Sequence, residues 1–181
     1  MSEYIESGIK VDLTGRAYHR FETLPTYIRL KGQGVKEMDV CWLVPAGTDA
    51  STSTSSRDTL ICLELKGYQT WTIPADLLAN LEQKAKDTLL MFCAAWLGRG
   101  QGSELALELP EAYRTYDPSR RLQLVILVDE DNRQAAALMA LRQKLRNRLL
   151  GLTHLLDFSL TIVNRSSAER AGLPISAATP T

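Results

Sequence analysis

The chain lacks long apolar runs and carries no excess of charge of either sign. Lys plus Arg and Asp plus Glu number 21 each among its 181 residues, so its formal net charge is zero. A protein that binds nucleic acid unaided usually carries a basic excess, so this charge balance counts against unaided binding of nucleic acid. The apolar runs are only strand-length, which predicts no membrane span. The acidic residues 1–6 lack the apolar core of a secretion signal, and the predicted compartment is the cytoplasm.

Cysteine and histidine are also scarce. Cys41, Cys62 and Cys93 lie far apart in apolar surroundings, with no CxxC pair and no Cys/His pairing that would suggest zinc. Small buried hydrophobes in a reducing compartment are therefore the favoured interpretation of the three thiols. His19 and His154 are too few and too far apart to predict a histidine-rich metal site.

Hydrophobic periodicity predicts an α/β fold with a mixed central sheet and flanking helices. We expect a single domain over residues 1–164 and a flexible C-terminal tail over residues 165–181, which is rich in Ser, Ala and Pro. The predicted elements are a helix at 3–9, strands at 27–30, 37–44 and 59–66, a helix at 74–97, an irregular segment at 98–118, a strand at 122–128, a helix at 133–150 and a strand at 156–163.

Acidic and basic side chains fall at the ends of two of these strands. Asp39 lies in the second predicted strand, and Glu64-Leu65-Lys66 ends the third. Because side chains alternate along a strand, Glu64 and Lys66 project to the same side and Leu65 to the other. Two carboxylates can hold a hard divalent cation, and a lysine beside them can orient water or stabilise negative charge. This set of residues suits phosphodiester hydrolysis, although a salt-bridged structural cluster is the alternative.

The order of elements and this acid pattern resemble the PD-(D/E)xK phosphodiesterase superfamily, which includes many restriction endonucleases. The resemblance implies a restriction endonuclease-like αβββαβ core, with the first acid on the second strand at Asp39 and the (D/E)xK motif at Glu64-Leu65-Lys66. It further implies Mg²⁺ or Mn²⁺ held by Asp39, Glu64 and the carbonyl of Leu65, with Lys66 as a catalytic residue. Many members add an acid from the first helix, for which Glu3, Glu6 and Glu22 compete and Glu6 is the favoured candidate.

A second resemblance involves Asp129-Glu130-Asp131, which follows a buried strand. It is similar to the DxD motif of Toprim domains, a resemblance that implies metal-dependent phosphotransfer by Glu64, Asp129 and Asp131. The glycine expected after the Toprim glutamate is replaced by Leu65. Capping of the following helix is the favoured interpretation of these acids.

Basic residues on the two long predicted helices are candidates for phosphate contacts. Lys84 lies on the polar side of the first helix, and Arg142 and Arg146 belong to a basic side of the second. A solvated helix face explains the same pattern without any ligand.

The sequence therefore predicts a metal-dependent nuclease, with DNA favoured over RNA as the substrate. Cutting both strands of a duplex needs two sites, so a homodimer or a larger protein complex is expected, with no membrane association. The alternative is a catalytically inactive nuclease-like subunit that acts as a protein-interaction scaffold, which the zero net charge favours.

Overall fold

The computed structural model describes residues 3–47, 57–67, 74–129 and 135–178. It is a mixed α/β structure with a five-stranded central sheet, a three-stranded second sheet and flanking helices. Its strands are β1 (Glu3–Glu6), β2 (Ile9–Asp12), β3 (Tyr18–His19), β4 (Val40–Val44), β5 (Thr59–Gly67), β6 (Arg121–Asp129), β7 (Phe158–Val163) and β8 (Ile175–Ala177). Its α-helices are α1 (Pro25–Lys31), α2 (Leu77–Leu97), α3 (Gly102–Glu108), α4 (Ala135–Leu156) and α5 (Arg165–Arg170).

The large sheet has the strand order β3-β4-β5-β6-β7. Strands β3, β4 and β5 pair antiparallel, whereas β6 pairs parallel to β5 and β7 parallel to β6. Two central strands, β5 and β6, are covered on both faces, which explains their nearly continuous apolar sequences. Helices α2 and α4 connect the parallel strands and pack on one face of the sheet.

The face beneath α2 and α4 holds the larger hydrophobic core. Apolar residues recur at helical spacing in both helices and are buried there, in agreement with the predicted faces. They are Leu81, Ala85, Leu89 and Phe92 of α2 and Leu138, Leu141, Leu145 and Leu149 of α4. Cys41 and Cys62 are free, buried and directly opposite each other on β4 and β5, which confirms their predicted role as small core residues, while Cys93 is half-buried.

The opposite face is partly covered by the small antiparallel sheet β1-β2-β8. Its side chains alternate between buried and solvent-facing positions, so that Tyr4, Ile9, Val11 and Ile175 are buried against the large sheet. The N-terminal hairpin and the C-terminal segment thus close a second core together.

Four predicted features of the chain are wrong. The helix at residues 3–9 is the hairpin β1–β2, whose turn has positive φ at Ser7 and Gly8. The strand at residues 27–30 is α1, which begins at Pro25, a residue suited to the first helical position. The irregular segment 98–118 contains α3. The tail predicted to be flexible from residue 165 forms α5 and β8, and β8 is hydrogen-bonded to β2.

The remaining predicted strands and long helices are present with shifted ends. Strand β4 begins at Val40 rather than at residue 37, which leaves Asp39 immediately before the strand. Helix α4 continues to Leu156, beyond the predicted end at residue 150. None of the helices in the described part of the chain has both the length and the apolarity needed to cross a bilayer.

A close contact ties the N-terminal hairpin to the end of β5. A Cβ atom placed on Gly67 would lie 2.4 Å from the carbonyl oxygen of Ser7. We therefore expect Gly67→Ala to lower the free energy of unfolding by about 2 kcal/mol, because the turn must move away. Urea unfolding measures this change. The matched control is Gly151→Ala within α4, where the added Cβ has open space and should stabilise the helix slightly. Equal stabilities of Gly67→Ala and the wild type would contradict the close contact.

Candidate functional site

The structure brings Asp39 and Glu64 together at one end of the large sheet. The last register pair between β4 and β5 joins Val40 to Leu63, so Asp39 and Glu64 are the next residues beyond it. Both carboxylates are removed from solvent, with 8% of Asp39 and 0% of Glu64 exposed. A pair of buried acids side by side is electrostatically costly unless cations or protons compensate it.

The carboxylate of Asp39 replaces a missing backbone partner of β5. Its Oδ2 accepts a hydrogen bond of 2.7 Å from the backbone N–H of Leu65, a position that β4 no longer covers. The side chain of Leu65 points to the other face and is fully buried in the second core. This bond fixes Asp39 against β5 and orients its second oxygen, Oδ1, towards α2.

Lys84 of α2 bridges the two acids. Its Nζ lies 3.1 Å from Oδ1 of Asp39, and 2.7 Å and 2.9 Å from the two carboxylate oxygens of Glu64. Lys84 was predicted to contact nucleic acid. In the structure its ammonium is directed into the protein, towards Asp39 and Glu64. The side chain is only 20% exposed.

Lys66 provides a second ammonium, on the solvent side of Glu64. Its Nζ lies 2.7 Å from Oε1 of Glu64, and its side chain is 25% exposed. The expected projection of Glu64 and Lys66 to the same side of β5 is confirmed by this contact. Asp39, Glu64, Lys66 and Lys84 form a cluster of two acids and two bases, which we call the acid–lysine cluster.

Burial and neighbouring charge change the proton affinities within the cluster. The pKa of Glu64 is raised from 4.5 to about 7, first by burial and then by the Asp39 carboxylate, although Lys84 and Lys66 oppose the rise. Burial lowers the pKa of Lys84, but the carboxylates of Glu64 and Asp39 outweigh burial and raise it above its ordinary value. Glu64 can therefore exchange a proton near neutral pH while Lys84 keeps its charge.

Glu6 reaches this cluster from the N-terminal hairpin rather than from a helix. Burial raises the pKa of Glu6, and the Asp39 carboxylate raises it further, whereas Lys66, Lys84 and Arg20 lower it. The hydroxyl of Tyr4 donates a hydrogen bond to the carboxylate of Glu6. The close approach of Ser7 to Gly67 holds this hairpin beside the end of β5. The residue predicted as the helix acid is thus at the rim of the site, but on β1.

The segment that leads into Asp39 is bound to α2 by polar side chains. The backbone N–H of Lys36 donates to Asp87 at 2.9 Å, and that of Met38 donates to the buried hydroxyl of Thr88 at 2.9 Å. Because these bonds fix the segment along the helix, Asp39 and Lys84 face each other without relying on a strand ladder. The sequence contains a signal that could have placed Lys84 at this site. Lys84 and Thr88 lie one helical turn apart, beside the apolar stripe of α2, so both face the same segment.

The two arginines predicted as nucleic-acid contacts bind the protein itself. Arg142 donates to the carbonyl oxygen of Ile162, and Arg146 donates to that of Leu160 at 3.5 Å. Both carbonyls belong to β7, the outermost strand of the large sheet. Backbone groups on an edge strand need such partners, which explains these positions on α4 without a ligand.

The alternative site at Asp129 and Asp131 is described only in part. The backbone of Asp129 ends β6 and pairs with Gly67 of β5. Its side chain and the whole of Asp131 lie outside the described residues. Within the described part of the chain, no group of three or more His, Cys, Asp or Glu side chains is arranged to hold a metal ion.

Comparisons with protein-family models, with curated proteins and with solved structures found no match to the chain.

Proposed function

We propose that this protein is a Mg²⁺- or Mn²⁺-dependent nuclease, with DNA as the favoured substrate, acting as a homodimer or within a larger complex. The observation that carries the proposal is the pair of buried carboxylates of Asp39 and Glu64, with Lys66 beside them at the end of β5. A buried carboxyl with a raised pKa, as Glu64 has, is costly to a fold and is characteristic of functional sites. The nucleic-acid part of the proposal rests on the resemblance of the motif.

The arrangement of the sheet supports the same proposal. The antiparallel meander β3-β4-β5 is followed by α2 and by β6, which is parallel to β5. This order agrees with the βββαβ part of the restriction endonuclease-like core that the resemblance implies, with Asp39 just before its second strand and Glu64 on its third. Helix α1 lies between β3 and β4 rather than before the first strand, and the hairpin β1–β2 supplies Glu6 instead of a helix.

The donor atoms of the site fit a hard divalent cation. Asp39 and Glu64 offer carboxylate oxygens, and the carbonyl of Leu65 is the third candidate ligand. The ammonium of Lys84 contacts both carboxylates, so it must withdraw from them when the metal binds. A bound Mg²⁺ or Mn²⁺ supplies Lewis-acid stabilisation of the phosphoryl oxygens and a more acidic water.

The residues of the chain have separate tasks in this proposal. Asp39 and Glu64 hold the metal, and the N–H of Leu65 fixes the Asp39 carboxylate through its 2.7 Å hydrogen bond. Lys66 positions the attacking water and offsets the negative charge that develops on the phosphorus-bound oxygens. A Glu64 that titrates near neutral pH makes metal binding weaken in acid, because the metal needs the ionised carboxylate.

Calorimetric titration with Mn²⁺ tests the proposal, together with a cleavage assay on the same samples. We expect the wild type to bind Mn²⁺ and to cleave DNA, and Glu64→Ala to lose both activities because the metal loses a ligand. Glu82→Ala is a matched control, since Glu82 also forms ion pairs on α2 but lies outside the cluster. A wild type that fails to bind Mn²⁺ would overturn the proposal.

One observation favours the rival function of an inactive scaffold. Two ammonium groups already balance the two carboxylates of the acid–lysine cluster, so the carboxylates are neutralised without a metal ion. A structural cluster of this kind should lose stability in Glu64→Ala while Mn²⁺ has no effect on either protein. The same titration therefore separates the two functions.

A further inference from the structure

A cavity of about 310 Å³ lies on the large sheet, away from the acid–lysine cluster. Thr59 and Ile61 of β5 line it, and strand alternation places their side chains on the opposite face from Glu64. Glu64 lies five positions beyond Thr59 along the extended strand, a distance of about 16 Å. The cavity is therefore a separate feature of the fold.

Polar side chains interrupt the apolar face of the sheet at this cavity. One transverse row crosses four strands, and its register pairs align Trp42, Ile61, Gln123 and Ser159. Gln123 belongs to β6, a strand that is buried and apolar further along, from Leu124 to Val128. Gln123 is half-buried and Ser159 is exposed, so both polar side chains are accessible from the cavity.

The charged side chains among the described residues that line the cavity are all positive. Arg16 and Arg121 line it, and their guanidinium groups form no hydrogen bond or ion pair with the described residues. Arg57 is also at its rim. No Asp or Glu is among the described residues that line it, and the nearby Asp58 carboxylate accepts a hydrogen bond of 3.0 Å from the backbone of Ala46.

A buried donor adds an independent observation. Trp42 lines the cavity and is fully buried, yet its indole Nε1 has no hydrogen-bond partner among the described residues. A buried N–H without an acceptor costs free energy, which an oxygen atom of a ligand would recover. The cavity therefore combines the guanidinium groups of Arg16 and Arg121 with the unpaired indole N–H of Trp42.

The C-terminal segment completes this cavity. Residues 171–174 follow α5 and form one wall, and Val44 and Ile61 contribute apolar surface. Cavities that bind small ligands begin at about 300 Å³ and combine apolar walls with a few polar groups. The size matches a ligand of roughly one nucleotide, and guanidinium groups recognise phosphate through paired N–H donors.

We infer that this cavity binds a small organic phosphate of about the size of a nucleoside monophosphate. Arg16 and Arg121 hold the phosphate, and the polar row of Trp42, Gln123 and Ser159 faces the polar edge of the organic part. The apolar walls cover the remaining ligand surface. This inference does not depend on the proposed nuclease activity, because none of these residues belongs to the acid–lysine cluster.

Adenosine 5′-monophosphate and inorganic phosphate are suitable probes. The wild-type protein is titrated with each in EDTA, by calorimetry and by the nitrogen-15 spectrum of the indole N–H groups, with Trp42→Phe assigning the Trp42 signal. We expect the monophosphate to shift the Trp42 signal and to bind more tightly than phosphate alone.

Arg121→Gln and Arg16→Gln should each weaken binding by at least about tenfold, because each removes charged donors to the phosphate. Arg99→Gln, an exposed arginine that does not line this cavity, is the matched control and should bind as the wild type does.

Three results would overturn the inference. The first is no binding of either probe at millimolar concentration, and the second is binding that neither arginine variant changes. The third is a single-stranded oligonucleotide that binds more tightly than the monophosphate and depends on Arg121, which would assign the surface to a polynucleotide. Because EDTA removes divalent metal, failure here and failure of the nuclease proposal are distinguishable.

Discussion

Lys66→Ala is expected to abolish cleavage while leaving the fold intact, a loss of at least about 10²–10³-fold in rate. The Nζ of Lys66 contacts Oε1 of Glu64 at 2.7 Å, and the Lys66 side chain is slightly more exposed than that of Lys84. It is therefore the cation available to a phosphodiester and its attacking water. Metal-dependent cleavage of DNA under single-turnover conditions measures the change in rate, and circular dichroism reports the fold.

The effect must be separated from the loss of an ion pair. Lys86→Ala serves as the control, because Lys86 also forms an ion pair at 2.6 Å, with Glu82 on the exposed side of α2. We expect this variant to cleave like the wild type and to lose less than about 1 kcal/mol of stability. If Lys66→Ala cleaved at the rate of the wild type, the catalytic role assigned to Lys66 would be wrong.

Lys84→Met is expected to have two opposite effects, a loss of stability and a gain in metal affinity. Its Nζ contacts Asp39 and both oxygens of Glu64, so its removal leaves buried carboxylates with less compensating charge. Removing one partner of a buried ion pair costs about 3 kcal/mol or more. At a pH where Glu64 is ionised, the same change frees the carboxylate oxygens for Mn²⁺, which we expect to bind at least about tenfold more tightly than in the wild type. Urea unfolding without metal and calorimetric titration measure the two effects.

The stability loss in Lys84→Met should depend on pH. A carboxyl whose folded pKa is raised, from 4.5 to about 7 for Glu64, favours the folded state at low pH and withdraws that support as pH rises through this window. Without Lys84 the pKa of Glu64 should rise further, so the difference from the wild type should be larger at pH 8 than at pH 5. Lys86→Met is the control at both pH values. A pH-independent difference, or weaker Mn²⁺ binding in Lys84→Met, would contradict the bridging role of Lys84.

Local sequence patterns were sufficient to predict the strands and the helix at the centre of the fold. The apolar run of β5 and that of β6 predict strands, and the helical spacing of Leu81, Leu89 and Phe92 predicts α2. These elements are long and strongly periodic, so tertiary contacts reinforce what their sequences favour. At the N-terminus the elements are short, and the sequence of residues 3–9 fits either a helix or a hairpin. Packing of Ile9 and Val11 against the large sheet selects the hairpin.

The sequence by itself determined that Glu64 and Lys66 share one side of β5, because alternation along a strand is a local property. Only the tertiary structure decided which charges meet them. The register of β4 on β5 places Asp39 beside Glu64, and the packing of α2 places Lys84 between them. Pairing of β8 with β2 likewise turned the predicted tail into a folded segment. Such contacts join residues far apart in the chain, and their energy comes from burial and charge compensation that no local pattern contains.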